Sequence, residues 1–260
     1  MAAMFNEPTW LAARPIAHRG LHDAAAGVHE NSLSAFEAAI ERGYAIECDI
    51  RLSADGAVFV FHDDALERMT GATGRLREQT AEELRALTLR DGQDGIPSFT
   101  ELLTLVAGKV PLVVELKGTD AEADRGFVQR LEPLLADYEG PLALMSFAPW
   151  LVSDLAVLGN RHPIGLTAEG TRPEDLERHR SVFEAGCNFV SYNVQHLPNA
   201  FVDWVRETRG LPVISWTVRT PADEERSLRH ADQMTFEGFL PQIAADDRRQ
   251  HADGRQSDDR

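Results

Sequence analysis

Apolar and polar positions along this chain fall into short runs of period two, separated by longer stretches of period near 3.6. Eight β-like runs recur, at residues 14–18 (RPIAH), 45–50 (AIECDI), 57–62 (AVFVFH), 110–117 (VPLVVELK), 141–147 (PLALMSF), 163–169 (PIGLTAE), 188–193 (NFVSYN) and 211–218 (LPVISWTV). Several are apolar on both faces, as parallel strands covered by helices should be. Between them, residues 31–43 (NSLSAFEAAIERG) carry apolar side chains at i, i+3 and i+4 and close on Gly43, where a C-cap glycine belongs. Asn31 reads as the N-cap of that helix. Further helices are expected over 98–107, 121–137, 173–184, 199–209 and 222–230. Eight strands alternating with helices predict an α/β fold, a (β/α)8 TIM barrel rather than an open sheet. No G-x-G-x-x-G opens any helix, which weakens a dinucleotide-binding reading.

One connection breaks the alternation. Between the second and third runs there is room for a tight turn but not for a helix, and Asp55-Gly56 is a strong turn signal. With those two residues at a hairpin tip, Asp49 stands level with His62. The barrel is expected over residues 10–245. The segment 246–260 (DDRRQHADGRQSDDR) has almost no apolar residues and is expected to be a disordered tail outside the chemistry.

Composition narrows the classes of function. The formal charge is −16, which argues against nucleic acid or an anionic membrane as a partner, since both need basic patches. No apolar run is long enough to span a bilayer, and the first residues lack a secretory pattern, so a cytoplasmic enzyme is expected. The two cysteines, Cys48 and Cys187, lie in apolar segments and are expected to be free and buried. Of 26 basic residues only Lys109 and Lys117 are lysines, and Lys117 stands inside a β-like run.

Four consecutive runs end in residues that are odd for a barrel core. The first ends in His18-Arg19-Gly20, the second holds Glu47 and Asp49, the third ends at His62, and the fourth ends in Glu115 and Lys117. Period-two spacing puts Glu47 with Asp49, and Glu115 with Lys117, on one face of their strands. Each feature alone has an ordinary structural explanation, such as an ion pair or a hydrogen-bonded histidine. Their convergence on the C-terminal rim, where barrel active sites are built, does not. Three carboxylates with no sulfur or imidazole cluster suit a hard divalent cation, Mg²⁺ or Ca²⁺. Two histidines beside it form a natural acid–base pair, and Arg19 and Lys117 supply positive charge for an anion. The set describes metal-assisted cleavage of a phosphate ester.

These residues resemble the glycerophosphodiester phosphodiesterase family. The fragments AHRGLH, HENSLSAFEAAIERGYAIECDIRLSADGAVFVFHDDALERMTGATG, IPSFTELL, LVVELKG and VISWTV follow the family's order across roughly residues 14–240. The resemblance implies a TIM barrel that hydrolyses glycerophosphodiesters to sn-glycerol 3-phosphate and an alcohol. It implies His18 and His62 as the catalytic pair, Glu47, Asp49 and Glu115 as metal ligands, and Arg19 and Lys117 as phosphate contacts. It also implies Trp216 as a wall on the glycerol side, with Glu30 and Asn31 as a supporting pair. Three positions depart from the family pattern: His29 replaces a proline, Arg219 follows WTV where asparagine is common, and ADQMTFEGFLP lacks the usual Thr-Asp. They bear on the glycerol side of the pocket and on the alcohol preference. A lysophospholipase D-type phosphodiesterase is the alternative, with FAPWLV (147–152) as a candidate apolar wall; a non-catalytic phosphodiester-binding barrel would require a missing catalytic group.

Overall fold

A computed structural model describes residues 8–90, 93–158 and 161–243; the predicted tail 246–260 lies outside them. Eight parallel strands close into a barrel: β1 (Ile16–Ala17), β2 (Ala45–Leu52), β4 (Leu112–Leu116), β5 (Leu142–Ser146), β6 (Ile164–Ala168), β7 (Phe189–Asn193), β8 (Val213–Val218) and β9 (Gln233–Phe236). The pairing β1–β2 completes the ring. The short strand β3 (Val58–Val60) pairs antiparallel with the end of β2 and is not part of it. The helices are α1 (Leu33–Arg42), α2 (Glu67–Thr70), α3 (Ala81–Arg85), α4 (Phe99–Val106), α5 (Phe127–Leu135), α6 (Pro149–Leu155), α7 (Pro173–Glu184), α8 (Ala200–Asp203) and α9 (Pro221–His230). None is long and apolar enough to cross a membrane.

The (β/α)8 expectation holds, with one exchange of members. The run at 57–62 is the descending arm of a hairpin, and the eighth barrel strand is β9, inside the segment ADQMTFEGFLP. The hairpin register also differs by one residue from the expected one. Its loop has three residues, Ala54-Asp55-Gly56, because Ser53 N–H donates to Ala57 O at 2.9 Å and Gly56 takes a left-handed φ of +81°. Phe61, not His62, therefore lies opposite Asp49, its N–H donating to Asp49 O at 2.9 Å. Helix α1 is capped by Ser32, whose hydroxyl accepts from Ala35 N–H, and it ends on Gly43 as expected. Asn31 is not the cap; it has a left-handed φ of +56° and turns its amide toward the barrel. The stretch expected as a helix over 121–137 becomes regular only at Phe127, and 199–209 changes from α to π geometry at Trp204.

Period-two alternation sorts the side chains. On β4, Leu112, Val114 and Leu116 face the helices in the main core, while Val113 and Glu115 face the barrel axis. The lower half of the axis is apolar: Ile16, Ala45, Val113, Ala143, Phe189 and Ile214 meet there, and Leu11 from the 3-10 turn Pro8–Ala12 packs with them. Gly165 makes room for Phe189, because a Cβ at 165 would sit 2.3 Å from the Phe189 ring. The upper half of the axis is polar. That switch, strand by strand, makes the C-terminal mouth the chemical end.

Residues between β3 and α4 form an insertion with its own small core of Phe59, Phe61, Leu66, Leu76, Leu84 and Ile96. This packing carries the chain away from β3 just where His62 follows.

Candidate active site

The site is built from the strand ends inward. Glu47 and Asp49 on β2 and Glu115 on β4 are buried, and they can present oxygens that all lie within 4.8 Å of one another. Cys48, between the two acids, faces the outer core, and both cysteines are free and buried as expected. Lys117 Nζ bridges Glu115 at 2.6 Å and Asp49 at 3.0 Å. Arg19 Nε lies 3.3 Å from Asp49. The left-handed backbone at Arg19, φ +55°, aims its N–H at Glu47 Oε2, 3.0 Å away. Asn31 Nδ2 donates to Asp49 Oδ2 at 2.9 Å, and Asn31 N–H donates to Arg19 O at 2.9 Å, so the two left-handed residues hold each other.

The histidines enter from opposite sides. His18 ends β1, and its Nδ1 lies 2.5 Å from Glu237 Oε2, leaving Nε2 facing Glu47 at 4.0 Å. His62 is held beyond β3 by Arg51, whose Nε donates to His62 O at 2.8 Å. Its Nδ1 lies 2.7 Å from Asp63. Asp63 accepts from Arg68 at 2.5 Å, Arg68 donates to Glu30 at 2.7 and 2.8 Å, and Glu30 accepts from Arg19 at 2.6 Å. An ion-pair chain thus runs from Arg19 through Glu30, Arg68 and Asp63 to His62. Trp216 on β8 donates its indole N–H to Ser191 O at 3.1 Å and meets Phe147 edge-on at 5.4 Å.

All ten residues singled out from the sequence lie in or against this one mouth. His18, Arg19, Glu47, His62, Glu115, Lys117 and Trp216 line a cavity of about 170 Å³. Asp49 lies between Arg19 and Lys117, and Glu30 and Asn31 bound the site from the loop before α1. A larger groove, about 740 Å³, opens on the outer surface beside Gly56, Arg85, Glu101 and Arg130, but it gathers no histidine and no acidic cluster.

The sequence profile of the glycerophosphoryl diester phosphodiesterase family matches residues 18–239 of the chain. The chain belongs to this family. As a member it is a phosphoric diester hydrolase. It is 27% identical over 224 residues to a glycerophosphodiester phosphodiesterase of Caldanaerobacter subterraneus subsp. tengcongensis, covering 82% of this chain and 89% of that one. A solved glycerophosphodiester phosphodiesterase from Thermotoga maritima superposes with a TM-score of 0.68 at 25% identity, covering 86% of this chain and 94% of the other. The fold is also that of an Oleispira antarctica phosphodiesterase solved with its product sn-glycerol-3-phosphate, with a TM-score of 0.73 at 22% identity over 86% of this chain and 92% of that one.

Electrostatics in this family barrel follow from burial and pairing. Burial, reinforced by Asp49 and Glu115, pushes the Glu47 carboxyl well above the usual range, and burial also raises Glu115. Asp49 is equally buried, but Lys117 and Arg19 outweigh that and hold it far below the ordinary value. Asp63 lies at about 2 because the pairing with Arg68 and His62 overcomes its burial. Glu237 is lowered too, burial being overcome by His18, His22 and Arg219. Both acids next to the histidines are therefore ionised acceptors, and each histidine must carry its proton on Nδ1. Burial lowers both rings below 6.5, so at neutral pH each has a lone pair on Nε2.

Sequence reasoning missed Glu237 and Arg68. Glu237 follows β9 with period-two spacing from Thr235, a strand-end acid like Glu47 and Glu115. It becomes visible once 233–236 is read as a strand. No local pattern marks Arg68, whose place depends on the fold of the insertion.

Proposed function

We propose that the protein hydrolyses a glycerophosphodiester to sn-glycerol 3-phosphate and an alcohol, using His18 and His62 as an acid–base pair beside a divalent cation held by Glu47, Asp49 and Glu115. The observation that carries this reading is the pairing of a buried three-carboxylate cluster with two histidines whose Nδ1 atoms are each fixed by an ionised acid. The donor set fits the ion: the contributing oxygens are carboxylate only, as Mg²⁺ and Ca²⁺ prefer, and buried like charges call for compensation. When bound, such a cation supplies positive charge for the phosphoryl oxygens.

The protein's own groups do the rest. Lys117 and Arg19 neutralise part of the carboxylate charge and keep the mouth attractive to an anion despite the acidic surface. One histidine Nε2 takes the proton of the attacking oxygen, either that of water or that of the glyceryl hydroxyl with water then opening the cyclic phosphate. The other histidine, protonated, gives its proton to the leaving alcohol oxygen. Arrival of the phosphate favours that protonated ring, since a nearby anion raises a histidine pKa. Glu237 and Asp63 hold the rings in the required tautomer. Trp216 closes the side away from the carboxylates.

The small cavity favours a glycerophosphodiester over a lysophospholipid. Of the exposed large apolar side chains among the described residues, only Phe147 lines the cavity, and one ring does not make a trough for an acyl chain.

The test is product analysis with glycerophosphocholine. Wild-type protein with Mg²⁺ or Ca²⁺ is expected to release sn-glycerol 3-phosphate and choline, and His18→Ala and His62→Ala to lose roughly 10²- to 10⁴-fold in kcat. Release of phosphocholine, or variants with wild-type kcat, would refute the reading.

A further inference from the structure

The mechanism uses one half of the barrel mouth, where β1, β2 and β4 bring acids, cations and a histidine. The strands from β6 round to β9 add a different kind of group. Thr167 on β6, Ser191 on β7 and Thr235 on β9 face the same cavity, and their side chains are almost fully buried, at 2%, 1% and 1% exposure. None of the three hydroxyls has a hydrogen-bond partner in the protein.

Buried strand hydroxyls that face outward are paired instead. Ser215 on β8 points the other way and donates to Ser227 Oγ at 2.7 Å, and Ser146 on β5 donates to Leu116 O at 2.7 Å. Buried hydroxyls are normally paired, and valine would fill the two threonine positions with the same shape and no unmet hydrogen bond. Thr167 and Ser191 are direct register partners on neighbouring strands, yet they do not bond to each other. The three therefore present donors and acceptors to whatever occupies the cavity. They flank Trp216, whose indole is tied to Ser191 O, so the hydroxyls and the ring form one wall.

We propose that Thr167, Ser191 and Thr235 form the subsite for the vicinal diol of the glyceryl group. This rests on the proposed reaction and names the part of the substrate these strands recognise. A hydroxyl both donates and accepts, which matches a polyol better than a charged group would. In the ring order β6 and β7 stand across from β1 and β2, so Thr167 and Ser191 face the side that carries Arg19, while Thr235 on β9 neighbours β1 and closes the floor between them. A substrate lacking the diol would leave three buried hydroxyls unmet, and the site would discriminate against it.

The experiment compares sn-glycerol 3-phosphate with 1-propyl phosphate, which keeps the phosphate and loses the diol. Each is titrated calorimetrically into wild-type protein and into Thr167→Val, Ser191→Ala, Thr235→Val and the triple variant, in buffer with Mg²⁺. Wild type should prefer glycerol 3-phosphate by roughly tenfold or more, and the ratio should fall stepwise toward one in the variants. Their melting temperatures should equal or exceed wild type, since an unmet buried hydroxyl is removed. Equal wild-type affinities, or variants that keep the wild-type ratio, would overturn the subsite, and the latter would reduce the hydroxyls to a wetted floor. A wild-type preference without any diesterase turnover would preserve the subsite and refute the proposed reaction; turnover without preference would do the reverse.

Discussion

His18 is nearly buried between two carboxylates, Glu237 at 2.5 Å and Glu47 at 4.0 Å, yet burial leaves its ring easier to deprotonate than a free imidazole. His62 shows the same lowering. A base with a lowered pKa stays deprotonated to lower pH, so the acid limb of kcat/KM should fall below pH 6.5 in a rate profile. A limb at or above that value would show that burial does not lower the base that the reaction uses. Two departures from the family pattern also meet at this histidine. Arg219, where asparagine is common, donates to Glu237 Oε1 at 2.5 Å, while the other oxygen of Glu237 holds His18. The changed final segment and the changed residue after WTV thus form one connected unit. Glu237→Ala should lower kcat roughly 10- to 10³-fold with little change in KM, and Glu237→Gln should restore part of it by keeping an acceptor for Nδ1–H. Equal kinetics in all three proteins would show that Glu237 does not position the ring.

Elements place these side chains with differing legibility. The long apolar strands and amphipathic helices were readable because each satisfies one period over many residues, and the rim acids were readable because they break it. Strand β9 was not, since QMTF has four residues and two of them are polar. The hairpin slipped by one register because Asp-Gly suits two-residue and three-residue loops alike, and only Ser53–Ala57 pairing selects the longer one. His62 reaches the site despite that slip because Phe59 and Phe61 anchor in the insertion core and the chain turns after them. This makes the insertion part of the active site. Leu84→Ala there should cost about 2–5 kcal/mol locally. Hydrogen exchange should quicken across 58–97 without change in β5–β8, and kcat/KM should fall although Leu84 is not at the mouth. Unchanged activity with a loosened insertion would show that His62 is held by Arg51 and Asp63 alone.

The whole molecule sets a strongly acidic surface, with a net charge of −16, around a mouth where two cations and three acids nearly balance. Because burial raises Glu47 and Glu115, protons compete with a cation for these two carboxylates sooner on acidification than for ordinary ones. Affinity for Mg²⁺ should therefore weaken as pH is lowered, which calorimetric dissociation constants over a pH series would show; binding that does not weaken even where ordinary carboxylates titrate would mean that these carboxylates are not the ligands. Saturating cation should also stabilise the fold by about 2.7 kcal/mol at a hundredfold excess over Kd, visible as a higher Tm that Asp49→Asn abolishes.

The most direct measurement is turnover of glycerophosphocholine after metal removal. Wild-type protein is treated with EDTA, dialysed, and assayed for sn-glycerol 3-phosphate before and after return of Mg²⁺ or Ca²⁺, with Glu115→Gln in parallel. The account predicts that release stops with the chelator, returns with cation in the wild type, and stays far lower in the variant. Full release from metal-free protein would contradict the role of Glu47, Asp49 and Glu115.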